Sequence, residues 1–304
     1  MAITVLVPDD FGMSALSRIE GVELVRYDVR QPLPAEAERA QVLIPGFLAQ
    51  RDTVELIRQL PNLKLIQLMS AGAELWTDIV PDGVLLSICR GAHGGSTAEW
   101  TIGVLLAIYR ELLQFERDRE QHRWHQHVTD TLQDKRILVI GAGDLGQQLK
   151  RRLDAFDAVT TLVGTRARDG VHAVTELPDL LPRHDATVLM VPVTPATTGM
   201  VDAAFLAAMP DGAVLVNAAR GAVVDTDALL AELSSGRLRA ALDVTDPEPL
   251  PPDHPLWTAP GLLLTSHVAG SVTGHRERAY AIVAAEIARF AAGKEPENLV
   301  RGDY

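Results

Sequence analysis

Residues 139–146 read VIGAGDLG, and this short stretch decides how the surrounding chain folds. Gly141, Gly143 and Gly146 follow an apolar run and open a helical pattern. Glycines at this spacing allow a tight turn, let the backbone approach a pyrophosphate and leave helix N–H groups free to bind it. We therefore predict a dinucleotide site; the alternative is a tight strand-to-helix turn without a ligand. Asp144 would repel a pyrophosphate unless its side chain turns to solvent or caps the helix, and of these two we expect the cap.

The chain beyond this turn repeats the alternation of strand and helix. Six apolar runs are separated by helical segments from Arg136 onward: RILVIG, TTLVG, ATVLMVPV, AVLVNAA, AALDVT and LLLTSH. This alternation is typical of a doubly wound parallel α/β sheet with helices on both faces.

A second, smaller α/β pattern precedes the glycine-rich turn. Five runs alternate with helical or turn-rich segments before the helical pattern that starts at Ser96: ITVLV, VELVRY, QVLIP, LKLIQLM and VLLSIC. We expect one helix from Ser96 to about His122 to link the two domains, with Ser96 or Thr97 as its N-cap. The last helical pattern, residues 274–294, does not itself show which domain it packs on.

Composition excludes several classes of function. Lys and Arg number 28 against 40 Asp and Glu, a formal net charge of −12, so we expect neither nucleic acid nor a membrane as partner. The first residues lack the basic region of a signal peptide, and no apolar run approaches the roughly 18 residues of a membrane span. We therefore expect a cytoplasmic protein. Cys89 is the single cysteine, which excludes an internal disulfide and predicts a buried small residue.

Three side chains suited to catalysis follow the last three apolar runs. Arg220, Glu248 and His267 come after AVLVNAA, AALDVT and LLLTS. Because the carboxyl ends of parallel strands share one edge, we expect the three to converge on one crevice. A guanidinium suits a carboxylate or a polarised carbonyl, and a histidine exchanges a proton near neutral pH. Taken singly, each also has an ordinary alternative as an ion pair, a turn residue or a surface histidine.

Longer motifs around these residues carry a family resemblance. They are GAGDLG, VPVTPATTGMVD, LVNAARGAVVDTDALLAEL, ALDVTDPEPLPPDHPLW and SHVAG, with weaker similarity through LIQLMSAGAELW and STAEW. In this order they resemble the D-isomer-specific 2-hydroxyacid dehydrogenases, the family of the glyoxylate/hydroxypyruvate reductases. The resemblance implies a Rossmann-type doubly wound sheet, residues 97–274, inserted into a smaller flavodoxin-like substrate domain, residues 1–96 plus 275–304.

The resemblance also implies roles for individual residues. Arg220 matches the arginine that holds the substrate carboxylate and carbonyl, and His267 matches the proton donor and acceptor. Glu248 matches the acid that pairs with the histidine and keeps the imidazolium available. Ser70, Ala71 and Gly72 match the loop whose N–H groups bind the substrate carboxylate.

Contacts to the dinucleotide are expected from the glycine-rich turn and the later strand ends. Thr97 matches the hinge beside the nicotinamide, and Pro192, Ala218 and Asp243 match positions at its nicotinamide half. The full set of candidates is Thr97, Gly141, Gly143, Asp144, Leu145, Gly146, Thr165, Arg166, Arg168, Val191, Pro192, Thr197, Ala218, Asp243, His267 and Gly270.

The stretch TTLVGTRARDG, residues 160–170, bears on which nicotinamide is bound. NAD-binding chains usually place an acid at the end of this strand for the ribose 2′-hydroxyl, and here the residue is Gly164. Thr165 can donate a hydrogen bond, and Arg166 and Arg168 can pair with a 2′-phosphate. We therefore expect NADP as the preferred cofactor and NAD as the alternative, unless both arginines are solvated loop charges.

Two residues depart from the family pattern. Ser266 stands where proline commonly precedes the histidine, which we expect to loosen the turn only. Asp157 replaces a glycine after the helix of the glycine-rich motif, and aspartate tolerates the left-handed conformation that such a position needs.

The predicted function is reduction of small 2-keto acids by a homodimer formed through the dinucleotide-binding domain. A formate dehydrogenase would carry glutamine in place of Glu248. A dinucleotide-sensing corepressor of the same fold stays open as an alternative from another class, and so does an NAD-preferring dehydrogenase of the same family.

The segment HRWHQH contains His122, His125 and His127. No cluster of carboxylates or cysteines accompanies them in sequence, so we expect no metal site there. The resemblance places this segment at the dimer interface, where we expect Trp124 to approach the partner's active site.

Overall fold

The computed structural model describes residues 2–46 and 50–301. The chain forms two compact units, with boundaries at His93/Gly94 and at Val272/Thr273. The first unit contains both ends of the described chain, and the second contains the residues between the two boundaries. The boundaries expected from the sequence lie three and two residues further along. In chain order the strands and helices are β1 (Ile3–Val7), α1 (Asp10–Leu16), β2 (Val22–Arg26), β3 (Ala40–Leu43), α2 (Gln50–Arg58), β4 (Leu65–Gln67), β5 (Leu85–Ser87), α3 (Gly94–Tyr109), α4 (Leu112–Glu120), β6 (Arg136–Ile140), α5 (Asp144–Asp154), β7 (Val159–Gly164), β8 (Val171–Ala173), α6 (Leu177–Leu180), β9 (Ala186–Leu189), α7 (Ala203–Ala208), β10 (Val214–Asn217), α8 (Thr226–Ser234), β11 (Arg239–Leu242), β12 (Leu262–Leu264) and α9 (His275–Ala291).

The first unit is built on a five-stranded sheet in the order β2-β1-β3-β4-β5. Every pairing in it is parallel, which gives the flavodoxin-like arrangement. The final helix, α9, packs on this sheet: Tyr280, Val283 and Ile287 are buried in one apolar cluster with Val5 and Leu16. The resemblance implies this placement for the last helix.

The second unit is built on a seven-stranded parallel sheet in the order β12-β11-β10-β9-β6-β7-β8. Six of its strands are those expected from the apolar runs, and the doubly wound order confirms the predicted fold class. The seventh strand, β8, was not predicted. It contains only Val171, His172 and Ala173, which is too short for an alternating pattern to be recognised in the sequence.

The long helix expected from Ser96 to about His122 is in fact two helices, α3 and α4. Glu111 lies between them with φ +52°, a left-handed conformation that ends α-helical geometry. The predicted cap is also wrong, because α3 begins at Gly94 and includes Ser96 and Thr97 in its first turn.

The glycine-rich turn joins β6 to α5. Close packing at this turn leaves no room for a Cβ atom at two of its glycines. Gly141 has φ +118°, and a Cβ atom there would lie 2.2 Å from the backbone oxygen of Met190. A Cβ atom on Gly146 would lie 1.9 Å from the backbone oxygen of Gly141. Gly143, by contrast, is exposed, and its Cβ position has no atom within 4 Å. The helix therefore packs closely on the strand while open space remains beside Gly143.

Two smaller expectations are confirmed. Asp157 adopts a left-handed conformation with φ +57°. Cys89 is fully buried, and its thiol donates to the backbone oxygen of Ala279. Burial, reinforced by the charge of Glu286, raises the pKa of the Cys89 thiol to about 12, so the thiol is protonated at neutral pH.

Within residues 2–46 and 50–301, no helix has the length and apolar character needed to cross a bilayer.

The packing of the glycine-rich turn gives a prediction for stability. Gly146→Ala should force α5 away from β6, an overpacking that costs about 1–3 kcal/mol and lowers the Tm by roughly 3–10 °C. Gly143→Ala is the matched control, because its φ of −82° suits alanine and its side has room. Thermal melting followed by circular dichroism measures both, and equal Tm values would contradict the packing argument.

Candidate active site

The second unit brings the three candidate catalytic residues to one edge of its sheet. β10 pairs with β11 through Asn217 and Leu242, and β11 pairs with β12 through Leu242 and Leu264. All three strands run parallel, so their carboxyl ends lie side by side. Arg220, Glu248 and His267 follow these ends, as the sequence predicts.

Arg220 is positioned by a buried asparagine at the end of β10. The Asn217 amide donates to the backbone oxygen of Arg220 at 2.9 Å, and its Oδ1 accepts from the backbone N–H of Ala219 at 3.0 Å. A Cβ atom on Gly221 would lie 2.0 Å from the backbone oxygen of Thr245, so this turn packs directly on the segment that leads to Glu248. Sequence reasoning missed Asn217; its signal is an amide side chain that ends an otherwise apolar strand.

His267 and Glu248 form the central pair of the site. The distance from His267 Nδ1 to Glu248 Oε1 is 2.6 Å, and the two side chains are 48% and 41% exposed. Nε2 makes no hydrogen bond with the described residues, which leaves this atom accessible to a ligand. Because the carboxylate accepts from Nδ1–H, a proton on Nε2 requires the imidazolium form. The pair can therefore act as a general acid through Nε2.

The loop that carries His267 is fixed by Asp243, which follows β11. The Asp243 carboxylate is buried and accepts hydrogen bonds from the N–H groups of Val268 and Ala269, each at 2.9 Å. It also accepts from the Thr265 hydroxyl at 2.6 Å. Sequence reasoning assigned Asp243 to the cofactor and missed Thr265, whose signal is a hydroxyl directly after a strand that neighbours the one ending at this acid.

The glycine-rich turn fits the pyrophosphate of a dinucleotide. Gly143 leaves open space at the amino end of α5, and the first turn of the helix supplies N–H groups from Leu145 and Gly146. A side chain at position 143 would fill that space.

Asp144 does not cap α5, contrary to the prediction. Gly143 occupies the N-cap position, and no side-chain cap is present. The carboxylate instead lies against the start of α3: a Cβ atom on Gly94 would come within 2.2 Å of Asp144 Oδ2, which is buried without a hydrogen-bond partner among the described residues. The amino end of α3 favours a negative charge, which explains why the carboxylate is tolerated there.

The end of β7 has the composition expected for a phosphate site. Gly164 is the last residue of the strand, and the following turn is closed by two backbone hydrogen bonds between Arg168 and Val171. The Arg168 guanidinium folds back over this end and donates to the backbone oxygen of Ala142 at 3.1 Å. Arg166 is exposed and makes no ion pair with the described residues. Arg166 is therefore available to an anion, whereas Arg168 is partly used by the protein itself.

The remaining candidate cofactor residues lie in the second unit too. Val191, Pro192 and Thr197 belong to the loop after β9, and the Thr197 hydroxyl donates to the backbone oxygen of Pro192 at 2.7 Å. Thr97 is buried in α3, and Thr165 is exposed directly after β7. Ala218 and Gly270 come after the ends of β10 and β12.

The predicted substrate loop belongs to the first unit. Ser70, Ala71 and Gly72 follow the carboxyl end of β4, and the Ser70 hydroxyl donates to the backbone oxygen of Gly72 at 2.9 Å. The backbone oxygen of Ser70 accepts from the N–H of Cys89 at 2.8 Å, which ties the loop to the end of β5.

A segment after α4 presents exposed apolar side chains. Arg123 Nη2 lies 2.6 Å from the buried Asp118 Oδ1, and His127 Nε2 lies 3.1 Å from Glu111 Oε2. Burial opposes ionisation of Asp118, but hydrogen bonds from Arg123 and Gln114 outweigh it and lower its pKa. No group of three or more metal-ligating side chains occurs in the parts of the chain that the structure describes. Trp124 is 95% exposed.

A family model now accounts for this arrangement. The model described as "D-isomer specific 2-hydroxyacid dehydrogenase, NAD binding domain" matches residues 102–269. The chain belongs to the D-isomer-specific 2-hydroxyacid dehydrogenase family. It is an NAD(P)-dependent oxidoreductase, and the second unit contains its NAD-binding domain.

Individual members of the family match over most of the chain. The human protein named glyoxylate reductase/hydroxypyruvate reductase is 32% identical, over 88% of this chain and 87% of its own. A family member from Xanthobacter autotrophicus, solved with NADPH and MES, has a TM-score of 0.84 and 29% identity, covering 99% of this chain and 98% of the other. An NADPH-dependent glyoxylate/hydroxypyruvate reductase from Sinorhizobium meliloti, solved with NADP and sulfate, has a TM-score of 0.82 and 27% identity with the same coverage.

Proposed function

We propose that this enzyme reduces small 2-keto acids of the glyoxylate or hydroxypyruvate type to D-2-hydroxy acids, with NADPH as the hydride donor. The observation that carries the proposal is the His267–Glu248 pair at the same sheet edge as Arg220. Two relatives support the substrate class, because the human and Sinorhizobium meliloti proteins are both named glyoxylate/hydroxypyruvate reductases.

Each residue has a distinct part in the proposed reaction. The nicotinamide, when bound, supplies a hydride to the carbonyl carbon of the substrate. Arg220 holds the substrate carboxylate and polarises the carbonyl, since a guanidinium offers two parallel donors. The imidazolium of His267 gives the proton on Nε2 to the carbonyl oxygen, and Glu248 stabilises that imidazolium before transfer. Ser70, Ala71 and Gly72 are proposed to bind the carboxylate through backbone N–H groups.

The proposed preference for NADPH rests on the end of β7. No acid stands at Gly164 to accept from a ribose hydroxyl or to repel a 2′-phosphate. Arg166 is exposed there, and Arg168 keeps its guanidinium over the same turn. Both the Xanthobacter autotrophicus and Sinorhizobium meliloti structures hold the phosphorylated cofactor.

The first test is a panel of 2-keto acids assayed with both reduced nicotinamides. We expect NADPH to be preferred at least about tenfold in kcat/KM, which requires about 1.4 kcal/mol of differential binding. Arg166→Ala together with Arg168→Ala should remove most of this preference by raising the KM for NADPH. Arg166→Ala alone should account for a large part, because its guanidinium is not used by the protein.

The matched control is Arg183→Ala, which removes an exposed arginine that precedes the amino end of β9, opposite the cofactor edge. A wild-type enzyme that uses NADH equally well would contradict the cofactor proposal. Absence of turnover with every keto acid would contradict the proposed reaction and favour a dinucleotide-sensing binding protein.

The second test addresses proton transfer. His267→Ala should lower kcat by about 10²- to 10⁴-fold and leave NADPH binding nearly unchanged.

Glu248→Gln should move the high-pH loss of keto-acid reduction to lower pH, because the imidazolium loses its stabilising charge. Asp211→Asn is the control, since it removes an equal charge from an 89% exposed side chain before the amino end of β10. An unchanged pH–rate profile in Glu248→Gln would remove Glu248 from the mechanism.

We further infer that the enzyme works in the cytoplasm as a homodimer formed through the NAD-binding unit. Trp124 and Val128 are each 95% exposed, on a segment that an ion pair from Arg123 holds to Asp118 of α4 and that a hydrogen bond links from His127 to Glu111, the residue before α4. Large exposed apolar side chains on an ordered segment are typical of an interface.

Trp124→Ala should shift the protein toward monomer in sedimentation velocity. Trp257→Ala, at an indole that is also exposed, should not. A monomeric wild-type protein would exclude the dimer, and an unchanged dimer in Trp124→Ala would exclude this surface.

A further inference from the structure

The loop that presents His267 adopts a conformation that needs support. His267 has φ +53°, in the left-handed region that a non-glycine residue seldom occupies. Its backbone N–H donates to the backbone oxygen of Asp243 at 2.7 Å. Such a conformation persists only where surrounding interactions determine it. Asp243 supplies several of those interactions, through its backbone oxygen and through its carboxylate.

Asp243 is only 3% exposed, and both of its carboxylate oxygens are used within this loop. Oδ2 accepts from the N–H of Ala269 at 2.9 Å. Oδ1 accepts from the N–H of Val268 at 2.9 Å and from the Thr265 hydroxyl at 2.6 Å. A buried carboxylate with donors at each oxygen is rigid, and removal of one donor leaves charge incompletely satisfied.

Thr265 is the one side chain among these donors. Its own N–H donates to the backbone oxygen of Leu242 at 2.9 Å, which anchors it where β12 ends beside β11. The Thr265 hydroxyl, directly after β12, is therefore held against the Asp243 carboxylate, which follows the neighbouring strand β11. Two bonds from Asp243 to the backbone after His267, and one to the side chain before it, enclose the histidine on both sides.

We propose that Thr265 is a positioning residue for catalysis: its hydroxyl fixes the Asp243 carboxylate, which sets the backbone of the His267 loop and thereby the direction of the imidazole. This inference rests on the proposed keto-acid reduction. Thr265 acts through Asp243 and His267 and takes no part in proton transfer, because its hydroxyl proton is used by the carboxylate. The Asp243 carboxylate therefore holds the catalytic loop, in addition to any contact with the nicotinamide that the family resemblance implies.

The test compares Thr265→Val, which keeps the shape and loses the hydroxyl, with Thr265→Ser, which keeps the hydroxyl. We expect Thr265→Val to lower kcat about tenfold while the KM for the keto acid and the Kd for NADPH stay within about twofold. Thr265→Ser should stay within about twofold of wild type in all three. An unchanged kcat in Thr265→Val, or an equal loss in Thr265→Ser, would overturn the proposal. A loss accompanied by weaker NADPH binding would also overturn it, because Thr265 would then serve the cofactor.

Amide hydrogen exchange in the full-length protein gives a readout that does not require turnover. The N–H groups of Val268 and Ala269 should be protected in the wild type and exchange about tenfold faster in Thr265→Val. Rapid exchange of both amides in the wild type would overturn the proposal even if Thr265→Val does not fold. If the wild type reduces no keto acid, the proposed function fails, whereas the exchange experiment still decides whether Thr265 and Asp243 hold the loop.

Discussion

Parallel pairing of β10, β11 and β12 is the constraint on which the chemistry of this enzyme depends. Each strand is short, and each pairing continues to the last residue of both strands, so the chain leaves all three strands at the same level of the sheet. A shift of one residue in either register would move the side chains of that strand to the opposite face of the sheet and displace the loop that follows it. The positions of Arg220, Glu248 and His267 on neighbouring loops therefore depend on the backbone hydrogen bonds between these strands.

Buried polar side chains then convert strand ends into rigid loops. Asn217, at the end of β10, makes hydrogen bonds to backbone groups of the turn that follows it, whereas Asp243, directly after β11, accepts from backbone groups of the loop after β12. These residues are almost fully buried, where an unsatisfied polar group is costly, so their partners are held strongly. The exposed residues of the site are thus directed by residues that a ligand need not touch.

The parts of this architecture that could be predicted from sequence are those with a local signature. Eleven strands were recognisable as apolar runs, and Gly141, Gly143 and Gly146 were recognisable by their spacing between a strand and a helix. The structure adds the reason at two of them, because it has no room for a Cβ atom at Gly141 or Gly146. What could not be predicted depends on neighbours distant in sequence. β8 is defined by its pairing with β7 and not by its own three residues. The break at Glu111 and the link between Asp243 and Thr265 likewise carry no periodic pattern.

Asp144 and Gly94 are about fifty positions apart in sequence, yet they occupy one small volume. The carboxylate fits between α3 and α5 because residue 94 has no side chain, since a Cβ atom there would come within 2.2 Å of Asp144 Oδ2. An engineer who transplants the glycine-rich turn of this enzyme into another dehydrogenase must therefore transfer the first residue of α3 with it. Otherwise the acid is pushed toward the opening beside Gly143, where its charge opposes the anionic part of any dinucleotide.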